Sequence, residues 1–301
     1  MNTMNTGIPK LTSAVVLCAA LSMVPAAFAQ VAHQSSLYRQ LTLAPAEAAE
    51  KPEGGGAGDS DADLAKKLAN PVADLISVPF QSNFEFGGGP DDDGFIYLLN
   101  FQPVIPISLS EKWNLISRTI VPVIHQSDMV GTSSQTGLGD ILQSAFFSPK
   151  KPGAGGWIWG VGPAFSIPTA TDDLLGTGKF SLGPTAVFLK QEHGWTYGVL
   201  ANQVWSVAGE GGRADVSAAF IQPFFSYTTK KHTTYSLNTE STYDWEDEQW
   251  TVPLNLAAAQ LLKLGKLPVQ LQLGGKYWAE GPTGAPGWGI RFVVTLLFPK
   301  K

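Results

Sequence analysis

The stretch from Gly287 to Phe298, GWGIRFVVTLLF, decides the fold. Alternate residues of a β-strand point to opposite faces, so Trp288, Ile290, Phe292, Val294, Leu296 and Phe298 share one side and Gly289, Arg291, Val293, Thr295 and Leu297 the other. The first face is wholly apolar. The second carries a full charge at Arg291, which must reach water or a partner. A strand of this length, apolar outside, mixed inside and aromatic at both ends, matches a transmembrane β-strand.

The N-terminus tests that reading. Lys10 precedes an apolar run from Leu11 to about Met23, and Ala27-Phe28-Ala29 gives a small-x-small cleavage site, so residues 1–29 read as a secretory signal peptide. The formal net charge is −5, and Lys10 is the only charge in that leader, so the exported chain is one unit more acidic. The acidic balance leaves no basic patch for nucleic acid. Cys18, the only cysteine, lies within the leader, so the exported chain has no thiol for disulfides, metals or nucleophilic chemistry. After Gln30 no apolar run is long enough for a spanning helix, so membrane entry requires a closed barrel.

Residues 30–60 are polar, then rich in Ala, Pro, Glu and Gly, and read as a disordered linker. Residues 61–75 read as a short helix, capped at Ser60 or Asp61 and interrupted at Asn70-Pro71, able to lie in the periplasm or tuck into the barrel mouth as a plug. From Ile76 to Phe298 about twelve strands recur, near 76–86, 95–108, 112–125, 137–148, 156–168, 178–190, 195–207, 214–229, 232–245, 250–262, 267–279 and 287–298. The predicted fold is all-β: a closed antiparallel transmembrane barrel of about twelve strands with a short N-terminal helix. Connections alternate between short, lysine-bearing turns and longer, largely acidic loops, which a soluble sandwich has no reason to do. Prolines at 103, 106, 122, 163, 184, 223 and 253 predict bulges or bends within strands.

Charged members fix the inward faces. Gln81, Asn83 and Glu85 turn inward on the first strand, Arg118 on the third, Asp140 and Ser144 on the fourth, Asn238, Glu240, Thr242 and Asp244 on the ninth, and Gln270, Gln272 and Lys276 on the eleventh. Closing the barrel sets Glu85 and Arg291 at similar height with Lys276 nearby. The expected lumen constriction is Glu85, Arg118, Asp140, Glu240, Lys276 and Arg291, filtering solutes by a local field. The same residues could be an ion-pair network that merely fills a narrow barrel.

Candidate chemistry elsewhere is thin. His125 and Ser127 form a His-x-Ser pair resembling that of the twelve-stranded outer-membrane phospholipase, but no asparagine is placed to orient the imidazole and the rest of that pattern is absent. Asp91-Asp92-Asp93 beside Gly94 could hold a divalent cation loosely, although acidic loops are more often solvated. No phosphate loop or zinc spacing occurs, so neither metal nor cofactor is expected.

Several segments together resemble one bacterial family: residues 68–81 (LANPVADLISVPFQ), 166–171 (SIPTAT) leading to Gly176-Thr177-Gly178, 200–206 (LANQVWS), Gln222-Pro223-Phe224, and the closing Gly287-Trp288-Gly289-Ile290-Arg291-Phe292 with Phe298-Pro299-Lys300. They are similar to the outer-membrane family named for the meta-pathway of phenol degradation, often labelled transporters, over about residues 62–300. The resemblance implies an outer-membrane barrel associated with uptake of aromatic or apolar compounds, and brings no established substrate or catalytic set. Asn70-Pro71 also resembles, in miniature, the hatch of fatty-acid and toluene channels. Expected partners are outer-membrane lipid and lipopolysaccharide, the barrel-assembly machinery and small aromatic or apolar solutes. A non-conducting structural or loop-displaying barrel, and an outer-membrane lipid hydrolase, are the alternatives.

Overall fold

The computed structural model describes residues 61–298. The expected leader and linker lie outside the described residues. Fifteen strand segments form one antiparallel sheet: β1 (Ile76–Gly88), β2 (Gly94–Phe101), β3 (Val104–Ser108), β4 (Trp113–Ser127), β5 (Ser134–Leu138), β6 (Ile141–Pro149), β7 (Trp157–Ile167), β8 (Lys179–Glu192), β9 (Trp195–Gly209), β10 (Ser217–Thr228), β11 (Thr233–Thr239), β12 (Ser241–Asp244), β13 (Gln249–Leu264), β14 (Leu267–Glu280) and β15 (Trp288–Phe298). Three pairs are single barrel strands broken inside: β2/β3 at Gln102-Pro103, β5/β6 at Gly139-Asp140 and β11/β12 at Glu240. The barrel therefore has twelve strands. It closes where β1 pairs with β15, from Ile76↔Phe298 to Phe86↔Trp288. Closure leaves no edge of unpaired backbone donors facing lipid.

Most prolines sit in lapses of the ladder rather than in bulges. Pro163 falls where β6–β7 pairing stops between Ser144↔Ala164 and Phe147↔Val161, and Pro184 where β8–β9 pairing stops between Leu182↔Trp205 and Thr185↔Asn202. Register is kept across each lapse, so a missing N–H costs a bond without turning side chains over. Register shifts accompany two of these prolines: Pro253, between β13 and β14, and Pro122, which faces the β5/β6 break.

The outer surface is apolar, with Phe84, Leu237, Leu256, Leu273, Ile290 and Phe292 exposed on it. Two aromatic girdles bound this belt. At the end with short turns, Trp113 meets Trp159 (centroids 5.7 Å), Trp157 stacks on Phe188 (4.3 Å), and Trp195 meets Tyr227 (4.6 Å). At the end with long loops, Phe86 stacks on Trp288 (4.6 Å) and Tyr243 meets Trp250 (4.9 Å). Rings at both rims of an apolar band are the exterior that a bilayer requires. No helix among the described residues is long and apolar enough to cross a membrane.

The helix α1 (Asp61–Leu68) closes the short-turn end. Asp61 and Asp63 occupy its first turn and Lys66 and Lys67 its last, which suits the helix dipole. Its apolar residues Leu64 and Ala65 pack with Leu75, Leu261 of β13 and Leu297 of β15. Asp61 is tied to Lys263 (2.7 Å), and the Lys66 carbonyl accepts from Gln191 Nε2 (3.0 Å) on β8, so the helix lies across the mouth. Beyond it the chain turns at Asn70, whose Oδ1 accepts the Val72 N–H (3.0 Å). Val72 then enters the barrel and packs against the cluster containing Ile116, Phe146 and Leu189.

Candidate functional site: a divided lumen with a charged centre

Inward-facing residues sort by wall. From β4 round to β10, Ile116, Leu142, Phe146, Val187, Leu200 and Phe220 form one buried apolar cluster, interleaved with buried neutral polar residues such as Asn114, Ser144, Thr185, Asn202 and Gln222. The opposite wall, from β11 through β15 to β1, turns in Gln81, Asn83, Glu85, Glu240, Lys276 and Arg291, all buried. One wall thus sets an apolar cluster among neutral polar groups. The other carries Glu85, Glu240, Lys276 and Arg291.

Strand register explains the charged centre. Lys276 of β14 and Glu85 of β1 both pair with Gly289 of β15, the strand between them. Gly289 points inward without a side chain, so Lys276 Nζ crosses over it to reach Glu85 Oε1 at 2.9 Å. A Cβ at Gly289 would lie 2.7 Å from the Phe84 carbonyl oxygen and 3.5 Å from Glu85 Cγ. Gly289→Val is therefore expected to separate the pair and lower stability by about 1–3 kcal/mol. Its urea-unfolding midpoint in detergent should fall, and an unchanged midpoint would mean that the crossing does not depend on the glycine.

Arg291 reaches further. In the next rows its inward neighbours are Gly274 and Ala257, both small, so the guanidinium can extend across β14 and β13. It meets Glu240 in a two-pronged pair, Nη1 to Oε1 at 2.7 Å and Nη2 to Oε2 at 2.8 Å, while Nε donates to Asn83 Oδ1 at 2.7 Å. Glu240 stands at the β11/β12 break, opposite Pro253, whose carbonyl accepts the Glu240 N–H at 3.4 Å. Lys276 lies 3.9 Å from Glu240 and 4.8 Å from the Trp278 ring centroid. Four of the six residues expected at the constriction thus form one network of two acids and two bases, and its members are 0–4% exposed. At this level the described conformation is closed to water.

The other two lie elsewhere. Arg118 sits toward the short-turn end, with Nη2 donating to Gln102 Oε1 at 3.0 Å. Asp140, at the β5/β6 break, serves the outer loop 168–178: its carboxylate accepts the N–H of Ala170 (3.1 Å) and both the N–H (2.7 Å) and hydroxyl (2.8 Å) of Thr177. Arg213 clamps the same loop from the neighbouring one, donating to the carbonyls of Asp173, Gly176 and Thr177. Leu175 is thereby held over Ile96, Leu98 and Ile124, with Met129 of loop 128–133 beside it. The result is a folded-in lid. Beside it Lys179 holds Asp215 at 3.0 Å, and that hydrogen bond keeps the Asp215 carboxyl below the usual aspartate range.

The Asn70-Pro71 turn, expected as a plug, lines a cavity of about 60 Å³ with Arg118 and Gln102. His125 lies between the buried, inward residues Ile124 and Gln126, on the outward face of β4. Its Nδ1 is 2.7 Å from Thr136 Oγ1. No hydrogen bond joins it to Ser127 among the described residues, so the geometry supplies no activated hydroxyl. Asp91, Asp92 and Asp93 are exposed, and no group of three or more metal-ligating side chains occurs among the described residues.

The fold is that of an outer-membrane β-barrel. A channel from Pseudomonas putida F1 is 16% identical, with a TM-score of 0.58 over 74% of this chain and 94% of that one. An outer-membrane phospholipase of Salmonella typhi is 11% identical, with a TM-score of 0.39 over 76% of this chain and 91% of that one. For a Pseudomonas aeruginosa FadL homologue the values are 9% and 0.37, over 76% and 92%. Neither of these two likenesses is close enough to carry an argument. No family model and no curated protein sequence matches the chain.

Proposed function

We propose that this barrel is an outer-membrane channel or transporter for small aromatic or apolar solutes, held shut here by the α1 plug below and the lid above. The observation that carries the reading is the division of the lumen. The apolar cluster on one wall offers rings and aliphatic groups to a solute body, while the amides and hydroxyls beside it and the charges opposite keep a polar group hydrogen-bonded along the way. Aromatic compounds with one polar substituent match that division. The resemblance to the phenol-degradation family supports the same solute class. Lipid and lipopolysaccharide would surround the apolar belt, and the barrel-assembly machinery would insert it.

The buried charge network favours a second reading, a non-conducting barrel that displays its loops. Planar-bilayer recording separates the two. The purified protein is expected to show discrete openings interrupted by long closures, and a barrel silent at every voltage would favour the second reading. A lipid hydrolase would cleave dispersed phospholipid and lose that activity in Ser127→Ala; no cleavage by the wild type is expected.

A further inference from the structure

Resting on the channel reading, we propose that the cavity behind the plug is a binding site for the carboxylate head of a small organic acid. The cavity is bounded by the turn after α1 on one side and by β1, β3, β4, β14 and β15 on the other. Two cations line it, Lys67 and Arg118, and no aspartate or glutamate does. The Glu240 charge acts on Arg118 from the network above, but Glu240 is already held by both prongs of Arg291. Arg118 is 5% exposed and makes no salt bridge among the described residues. It is a buried guanidinium whose side-chain partner is neutral.

The unsatisfied polar atoms of the lining point the same way. Arg118 Nε, Gln102 Nε2 and Gln272 Nε2 are buried without a hydrogen-bond partner in the protein, and all three are donors. Gln102 and Gln272 are 0% and 6% exposed. Buried donors are normally satisfied, and three on residues that line one cleft match a ligand that only accepts. An ionised carboxylate has two acceptor oxygens and one negative charge, which would answer the Arg118 charge and take the orphan N–H groups together. Leu75, Val104 and Val293 supply apolar wall beside this polar corner. The space, about 60 Å³, is that of a head group. A benzene ring needs roughly 150 Å³, so the body of an aromatic acid would press on the plug residues Leu68 and Leu75.

The test is calorimetric titration of the full-length protein, folded in detergent, with sodium benzoate, sodium acetate, benzamide and inorganic phosphate. Both carboxylates are expected to bind saturably at one site, with benzamide weaker than benzoate by roughly 10- to 100-fold, the value of a charge-assisted hydrogen-bonded contact. Arg118→Gln should lose benzoate by a similar factor while Arg118→Lys keeps part of it. Gln272→Leu, which removes one donor and no charge, should weaken benzoate several-fold with the barrel intact. Equal binding of benzoate and benzamide by the wild type would overturn the site without recourse to any variant, as would phosphate competing as well as acetate. Vesicle uptake separates this proposal from the channel reading. Selective benzoate binding without solute uptake leaves the site standing and removes the channel, whereas uptake with no preference for the carboxylate does the reverse.

Discussion

Arg291→Met is expected to destabilise the barrel by about 3–5 kcal/mol, because it leaves Glu240 as an unpaired charge in a closed interior. Glu240 is fully buried and takes both of its close ionic contacts from Arg291, with Lys276 a more distant 3.9 Å away. Glu240→Gln alone should cost a comparable amount by stranding the guanidinium. The double variant should recover much of the loss, since replacing a whole buried pair is far cheaper than breaking it. Urea unfolding in detergent micelles, followed by tryptophan fluorescence, measures the cycle. Additive losses would show that the two groups are not coupled and that the network is an accident of packing. Arg291→Glu carries the functional version of the argument: it sets three acids against Lys276, so the closed level should open or change its ion preference. Unchanged conductance would remove these residues from the constriction.

Deletion of residues 61–75 is expected to have the largest functional effect. The plug contributes Leu64, Ala65 and Val72 to buried clusters and places Asn70 and Pro71 beside Arg118. Its ties to the wall include the Asp61–Lys263 pair and the Gln191 bond to the Lys66 carbonyl, and its apolar residues Leu64, Ala65, Ala69, Val72, Ala73 and Leu75 are buried. Exposed ion pairs contribute little, so the plug is held mainly by burying these side chains, while the barrel closes on its own through the β1–β15 pairing and is expected to stay folded without it. Liposome-swelling rates with small sugars should rise on the order of tenfold over the intact protein. Equal rates would mean that the closure lies at the charged centre or the lid alone.

Much of the fold was legible in the chain. Strict alternation around Arg291, around Glu85 and through 238–245 gave inward and outward faces, because a charge in the belt has only one tolerable direction. Short and long connections gave the two ends. The pairing inside the lumen was not legible, and two residues show why. Glu85 and Arg291 sit on neighbouring strands at similar height, so spacing suggests that they pair. Gly289 and Gly274, however, send Lys276 to Glu85 and free Arg291 to reach Glu240 three strands away. Which acid meets which base depends on where small residues open room across the barrel, and hence on shear and tilt. Asp140 fails for another reason: its partners Ala170 and Thr177 lie in a loop whose path no periodicity encodes. The donors around Arg118 come from separate strands, and only Gln102, set against Pro103 at a strand break, carries a local sign of being unusual.

A channel shut by a movable plug, as proposed, can be tested in both halves with one molecule. The described residues hold no cysteine, so thiols introduced by Asp61→Cys and Lys263→Cys can be joined by a short disulfide-containing bismaleimide and released by reductant. In planar bilayers the cross-linked protein is expected to stay silent and then to show openings once reductant cleaves the tether. Identical records before and after cleavage, whether silent or conducting, would contradict the account.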